Sequence, residues 1–156
     1  MNDNLQFNDA CINLVTSSEG WSNTPYVDPA SGGEPITIGF GSTHYEDGTK
    51  VTMNDAPIDK EKGRSMMCAE LNKIVAPIIN KLVKVELNAN QYGALGSLIY
   101  NIGSGNFANS SVLKAINEES GEDEIRNDWE KWNKASGKVM KGLINRRANE
   151  LTLYFS

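Results

Sequence analysis

Two carboxyl residues nine positions apart, Glu19 and Asp28, are the side chains whose types and settings best suit shared acid–base work. Cleaving a glycosidic bond takes one carboxyl that carries a proton and one that is ionised, placed on opposite sides of the bond. Glu19 falls where a first helix should end, and the partial negative charge of a helix C-terminus disfavours a second negative charge there. Asp28 falls in a polar, turn-rich stretch, a setting that suits an ionised carboxylate. Unlike surroundings are how two carboxyls come to be divided between acid and base. Spacing alone does not single out this pair: the chain holds 20 acidic residues, and an isolated Glu/Asp pair is in most proteins solvated surface. Close behind follows the block Thr37-Ile38-Gly39-Phe40-Gly41.

The elements that must position these residues are mostly helical. Asn8 or Asp9 can cap a first helix carrying Cys11, Leu14 and Val15 at helical spacing, with Gly20 suited to the left-handed position after its end. Residues 21–58 change character. Pro25, Asp28-Pro29, Ser31-Gly32-Gly33 and Asp47-Gly48 are turn formers between short strands at Tyr26-Val27, Ile36 to Phe40 and Lys50 to Thr52, the last two joined around Asp47-Gly48. After Asp59, Met66, Met67, Leu71, Ile74, Val75 and Ile78 make an apolar stripe through 60–82, which Pro77 should kink or divide. A helix over 89–102, capped by Asn88 and stopped by Gly103, is apolar on more than one side. Helices over 110–118, 122–135 and 141–154 complete an α+β chain. We read 1–156 as a single domain of two lobes: a β-rich lobe at about 20–58, a helical lobe from 1–19 and 83–156, and a connecting helix at 59–82. A cleft between lobes is a usual place for a substrate.

Composition excludes several classes. A chain of 156 residues with 39% hydrophobic and 22% charged residues is ordinary for a globular domain, and no stretch approaches the roughly 20 apolar residues that span a bilayer. The polar start, Met1 to Asp9, reads as neither secretory signal nor membrane anchor. The net charge of −5 argues against a nucleic-acid or membrane-surface role. Lys131, Lys134, Lys138, Lys141, Arg146 and Arg147 nevertheless form a basic segment without an acidic residue, either a solvated helical face or a surface for a polyanion. Cys11 and Cys68 read as small buried hydrophobes rather than a disulfide framework. With His44 the sole histidine and no cysteine pair at ligand spacing, neither metal nor cofactor is expected. Gly103-Ser104-Gly105 lacks the Lys-Ser/Thr of a phosphate loop.

Taken in order, Ser18-Glu19-Gly20, Tyr26-Val27-Asp28, Thr37-Ile38-Gly39-Phe40-Gly41, Asn90-Gln91-Tyr92-Gly93-Ala94-Leu95, Tyr100-Asn101-Ile102-Gly103, Ser110-Ser111-Val112-Leu113, Trp132, and Gly142-Leu143 with Arg146-Arg147 and Glu150 resemble the phage-type lysozymes (glycoside hydrolase family 24) over residues 12–154. The resemblance implies a lysozyme-like two-lobed fold and hydrolysis of the β-1,4 bond between N-acetylmuramic acid and N-acetylglucosamine in peptidoglycan, for host cell lysis, with inversion. It implies Glu19 as proton donor, Asp28 as the group that steers and deprotonates water or stabilises positive charge at the sugar, and Thr37 as the hydroxyl that holds the water. Thr43, Tyr100, Asn101, Ser110 and Ser111 would line the cleft, and Arg146 or Arg147 would pair with the acid. It further implies peptidoglycan glycan strands as partner, a monomer, and synthesis in a host cytoplasm without a signal peptide. Action on the periplasmic cell wall would follow after release by a separate holin.

Three departures qualify the match. Gly32-Gly33-Glu34-Pro35 adds about three residues between Asp28 and the threonine, so the usual spacing lands on Glu34, while Ile38-Gly39-Phe40-Gly41 anchors the alignment on Thr37. Ser42 stands where many members have histidine, leaving His44 as a loop residue. The acidic net charge differs from the basic balance of many wall lysozymes. Bland readings stand beside several assignments: Asn101 as a helix cap, one of Ser110 and Ser111 as the next helix's cap, Trp129 and Trp132 as core anchors, and an arginine bridged to Glu150. Two other functions share such a fold, a lytic transglycosylase and a non-catalytic wall-binding module.

Overall fold

The computed structural model describes residues 1–29 and 32–156. Asn8 accepts from the Cys11 amide and starts helix α1 (Asp9–Ser18). The helix ends without a left-handed glycine: Glu19 itself turns extended (φ −96°, ψ 153°), and Gly20 has no positive φ. The extended turn sends the chain straight into β1 (Ser22–Val27), antiparallel to β2 (Ile36–Gly39). Pairs Ser22↔Gly39 and Tyr26↔Thr37 bracket an irregularity in β1 that contains Pro25, which has no N–H to offer a ladder. The expected strand at Lys50 to Thr52 does not form. Only the bridge His44↔Lys50 and the bond from the Val51 amide to the Thr43 carbonyl remain there. Ser31, read with Gly32-Gly33 as a turn former, lies outside the described residues.

The block after Thr37 has a clear physical role. Ile38 and Ser42 exchange two 2.9 Å backbone bonds around Gly39-Phe40-Gly41, whose glycines take φ 68° and 95°. This tight turn leaves Phe40 buried against Trp21, ring centroids 4.7 Å apart, while Ile38 packs with Val51 and Met66 in a small cluster.

Asp59 caps α2 (Lys60–Glu70), which passes through a π turn (Leu71–Val75) into α3 (Ala76–Leu82). Pro77 lies in the first turn of α3; its missing N–H and its ring's conflict with the preceding turn account for a widened turn just upstream. A full capping box between Asn88 and Gln91 opens α4 (Ala89–Ile102), and Gly103 at φ 91° closes it. Tyr92 to Ile99 are all buried because α4 is wrapped by α1, α3, the π turn, α5 (Ser104–Ala108) and α8 (Lys141–Tyr154). Ser110 caps α6 (Ser111–Asn117). The helix expected over 122–135 is shorter: α7 (Glu122–Glu130) gives way to a small hairpin, β3 (Lys134–Ala135) and β4 (Lys138–Val139). Ser136 and Gly137 carry positive φ, as its two-residue turn requires. Among the described residues no helix is long and apolar enough to cross a membrane.

The larger core is built around α4 from Phe7, Val15, Met67, Leu71, Leu95, Leu98, Phe107, Trp129 and their neighbours. Cys11 is one of its members, and burial pushes that thiol up to about 12, which leaves it inert at neutral pH. Gly63 of α2 permits the approach of Trp21: a Cβ built there would lie 2.5 Å from Trp21 Cζ3 and 3.2 Å from Phe40 Cδ2. Gly63→Ala therefore gains about 1 kcal/mol of helix propensity but overpacks the ring pair at a cost of about 1–3 kcal/mol. Urea unfolding should show a net loss of about 1 kcal/mol; unchanged or higher stability would mean that Trp21 is free to move aside.

Candidate active site

Glu19, the residue at which α1 ends, projects into an open hollow of about 490 Å³ lined also by Ser18, Asn101, Met140, Leu143 and Arg146. Its side chain is 26% exposed, and Arg146 Nη1 of α8 donates to its Oε1 at 3.2 Å. The two residues are 127 positions apart, so α1 and α8 must pack correctly for this ion pair to exist. Of the two arginines left open by the sequence, Arg146 meets Glu19.

Arg146 is itself only 5% exposed and is fixed from behind. Its Nη2 donates to the Ser97 carbonyl at 3.3 Å, and its Nε lies 3.4 Å from both Ser97 Oγ and Glu150 Oε2. Glu150, without exposed surface, is the hub of the cluster. It accepts from Ser97 Oγ at 2.6 Å, Trp129 Nε1 at 2.9 Å and Arg147 Nη2 at 3.1 Å, and Arg147 Nε approaches its Oε1 to 2.8 Å. Arg147 thus makes the shorter of the two salt bridges to Glu150, with Nη1 on the Trp132 carbonyl at 3.2 Å. Two carboxylates and two guanidiniums balance, so buried charge is paired throughout the cluster. Trp129 anchors the core and Trp132 is half-buried, in keeping with their reading as packing residues.

Asp28 and Thr37 sit on the sheet. Thr37 pairs directly with Tyr26, so their side chains share a face, and Asp28 follows immediately on the end of β1. Ile38 turns to the opposite face and into the small cluster. The threonine hydroxyl donates to the Pro35 carbonyl at 3.4 Å, and the side chain is 9% exposed. The extra residues are absorbed by a turn in which the Gly32 amide donates to the Asp28 carbonyl at 2.7 Å. Neither Asp28 nor Thr37 lines the hollow around Glu19.

The remaining residues scatter. Asn101 is exposed beside Glu19, and Gly103 rather than Asn101 is the C-cap. Tyr100 is half-buried, its hydroxyl donating to Glu70 Oε2 at 3.1 Å. Thr43 lies in a separate hollow of about 320 Å³ with Glu34, Ile36, His44 and Lys50, its hydroxyl 2.9 Å from His44 Nδ1. Ser110 spends its hydroxyl on helix capping, accepting from Leu113 and donating to the Phe107 carbonyl at 2.7 Å, while Ser111 is exposed at the start of α6. Glu70 went unread in the sequence. Burial pushes its carboxyl above the usual range, the Tyr100 hydrogen bond and His44 oppose that, and Glu19 adds to it. The signal was present: Glu70 lies three and four residues after Met67 and Met66, on the apolar face of its helix. Among the described residues no group of three or more His, Cys, Asp or Glu could hold a metal ion.

A family model described as Phage lysozyme matches residues 16–150. The chain is 37% identical over 152 residues to an endolysin of Salmonella phage P22, covering 97% of this chain and 99% of that protein. It is 36% identical over 153 residues to an endolysin of Bacillus phage PZA, covering 97% of this chain but 56% of that protein. The chain thus spans about half the length of that relative and of an endolysin of Bacillus phage B103, of which it covers 55%. Among solved structures, a crystal structure of a P22 lysozyme mutant matches with a TM-score of 0.84 at 33% identity, covering 97% of this chain and 99% of that one. A muramidase domain of SpmX from Asticaccaulis excentricus matches with a TM-score of 0.79 at 29% identity, covering 97% and 99%.

Because Glu150 is the buried counter-charge that both Arg146 and Arg147 contact, Glu150→Ala should cost about 3–5 kcal/mol in urea unfolding. A loss below about 1 kcal/mol would place the cluster among surface ion pairs instead.

Proposed function

The chain belongs to the phage lysozyme family, and on that premise we propose that it is a muramidase, hydrolysing the β-1,4 bond between N-acetylmuramic acid and N-acetylglucosamine in bacterial peptidoglycan. The observation that carries this reading is the Glu19 carboxyl, open to a hollow in front and held from behind by buried Arg146 at 3.2 Å. A general acid must stand at a fixed angle to its bond, and a two-point hold on arginine and helix end supplies that.

In the proposed reaction Glu19 gives its proton to the glycosidic oxygen as the bond to the anomeric carbon breaks. A water held by the Thr37 hydroxyl gives its proton to Asp28 while its oxygen bonds to that carbon from the opposite face, with inversion. The pairing of Tyr26 with Thr37, which brings the strand that leads into Asp28 alongside the threonine, supports a paired role for Asp28 and Thr37. Asn101, beside Glu19, has an amide suited to an N-acetyl or hydroxyl group of the sugar. Thr43, Tyr100 and Ser111 are assigned to the remainder of the cleft, whereas the hydroxyl of Ser110 is committed to its helix. The sheet segment at about 20–58 and the helical remainder act as the two lobes of one domain, joined through 59–82. The proposal extends to a monomer that acts on the periplasmic wall after release from a host cytoplasm by a separate holin, without cofactor or metal.

The test is release of new reducing ends from purified peptidoglycan, followed alongside loss of turbidity. Glu19→Gln should lower the rate by about 10²–10⁴-fold, and Asp28→Asn and Thr37→Val should each impair it with folding intact. Full activity in the Glu19→Gln protein would refute the assignment, and binding without release of ends would recast the chain as a wall-binding module.

A further inference from the structure

The hollow in front of Glu19 holds the acid but neither Asp28 nor Thr37. Under the muramidase reading, on which this inference rests, that division says which sugar the hollow takes. A general acid stands against the oxygen it protonates, and in an inverting cleavage the water attacks from the opposite face of the ring that keeps the anomeric carbon. The sugar that departs with the oxygen therefore lies on the acid's side. When the bond breaks to leave a new muramic acid end, that departing sugar is N-acetylglucosamine.

The lining suits such a sugar. Apart from the Glu19–Arg146 ion pair, every residue around the hollow is uncharged, and the charge of Arg146 is already engaged by Glu19. A carboxylate or phosphate would find no free cation there, whereas a neutral sugar needs none. Gly142, Asn145 and Asn149 recur at three- and four-residue steps along α8, so they share one face of that helix and all border the hollow. Both asparagines are exposed, and among the described residues neither carboxamide is bonded to another part of the protein. Across from them the hydroxyls of Ser17 and Ser18 donate to the Leu14 carbonyl at 3.0 and 2.7 Å, which leaves their oxygens as acceptors. Met140, 46% exposed, and Leu143 add apolar surface. Carboxamides, oxygen acceptors and an apolar shelf match the carbonyl, N–H and methyl of an acetamido group. Gly142 keeps its side of the hollow open, since an added Cβ there would meet nothing within 4 Å.

We propose that this hollow is the leaving-group subsite, and that Asn145 and Asn149 determine its specificity by binding the acetamido group of the departing N-acetylglucosamine. The role goes beyond that of Asn101, because it selects one substituent of one sugar.

The test compares reducing-end release from purified peptidoglycan with release from the same material de-N-acetylated at its glucosamine residues. The parent protein should favour the acetylated wall by about tenfold in kcat/KM, and re-acetylation should restore the difference. Asn145→Ala and Asn149→Ala should each lower kcat/KM on the acetylated wall by about three- to tenfold, mainly through KM. On the de-N-acetylated wall each should stay within about twofold of the parent, because the group they bind is gone. Gly142→Gln, which fills the hollow without meeting protein atoms, should raise KM on both substrates with urea unfolding no less stable. Losses in the asparagine variants that are equal on both substrates, or absent on both, would overturn the proposal. So would a parent protein indifferent to the acetyl group, or an unchanged KM in Gly142→Gln. If the parent releases no reducing ends from acetylated peptidoglycan, the muramidase reading fails; if it does and the variants ignore the acetyl group, only this inference fails.

Discussion

Glu150 is a carboxylate with no exposed surface, and the placement of Glu19 rests on the company it keeps. Burying one charge without partners is among the most destabilising things a fold can do, and burying two guanidiniums beside it would be worse. Here Glu150 and Glu19 together offset the two guanidiniums, with Ser97 and Trp129 donating further hydrogen bonds to Glu150. The consequence is geometric: Arg146 cannot swing, and one edge of its guanidinium is presented to Glu19 on another helix. A surface arginine would make an ion pair of little worth and less direction. Held in this way, it becomes a fixed stop for a carboxyl that must face the solvent.

The rest of the helical architecture serves that placement. Helix α4 carries Ser97 through the middle of the core and ends at Tyr100-Asn101, so a single rigid element supports Arg146 from below and borders Glu19 from the side. The tight turn at Gly39-Phe40-Gly41 locks the sheet to Trp21, two residues from Glu19, through the Phe40 ring. Glu19 at the end of α1 and the sheet that carries Thr37 are thereby tied together at β1, even though Asp28 and Thr37 do not share the hollow in front of Glu19.

Local signals were the legible ones. Asn8, Asp59, Asn88 and Gly103 mark helix ends by hydrogen bonding and conformation that involve only their neighbours, and the structure uses each of them. Pro77 announced a break in its helix, but where the widened turn falls depends on packing that no window of sequence contains. Ser136-Gly137 was a readable turn signal between Lys134 and Val139, passed over because the helical pattern from Glu122 was extended too far. At Lys50 to Thr52 strand propensity was real but found no partner strand beyond one bridge. The choice between Arg146 and Arg147 could not be made locally. Adjacent on a helix, they point in different directions, and only the folded position of Glu19, 127 residues away, decides which of them meets it.

The central claim is that a proton from Glu19 and an incoming water cleave the glycan together. Digesting purified peptidoglycan in ¹⁸O-enriched water and weighing the fragments tests it most directly. The account predicts that each new muramic acid end carries one ¹⁸O at its anomeric carbon. Fragments ending in a 1,6-anhydro ring without ¹⁸O would contradict it, because the attacking oxygen would then have come from the sugar itself.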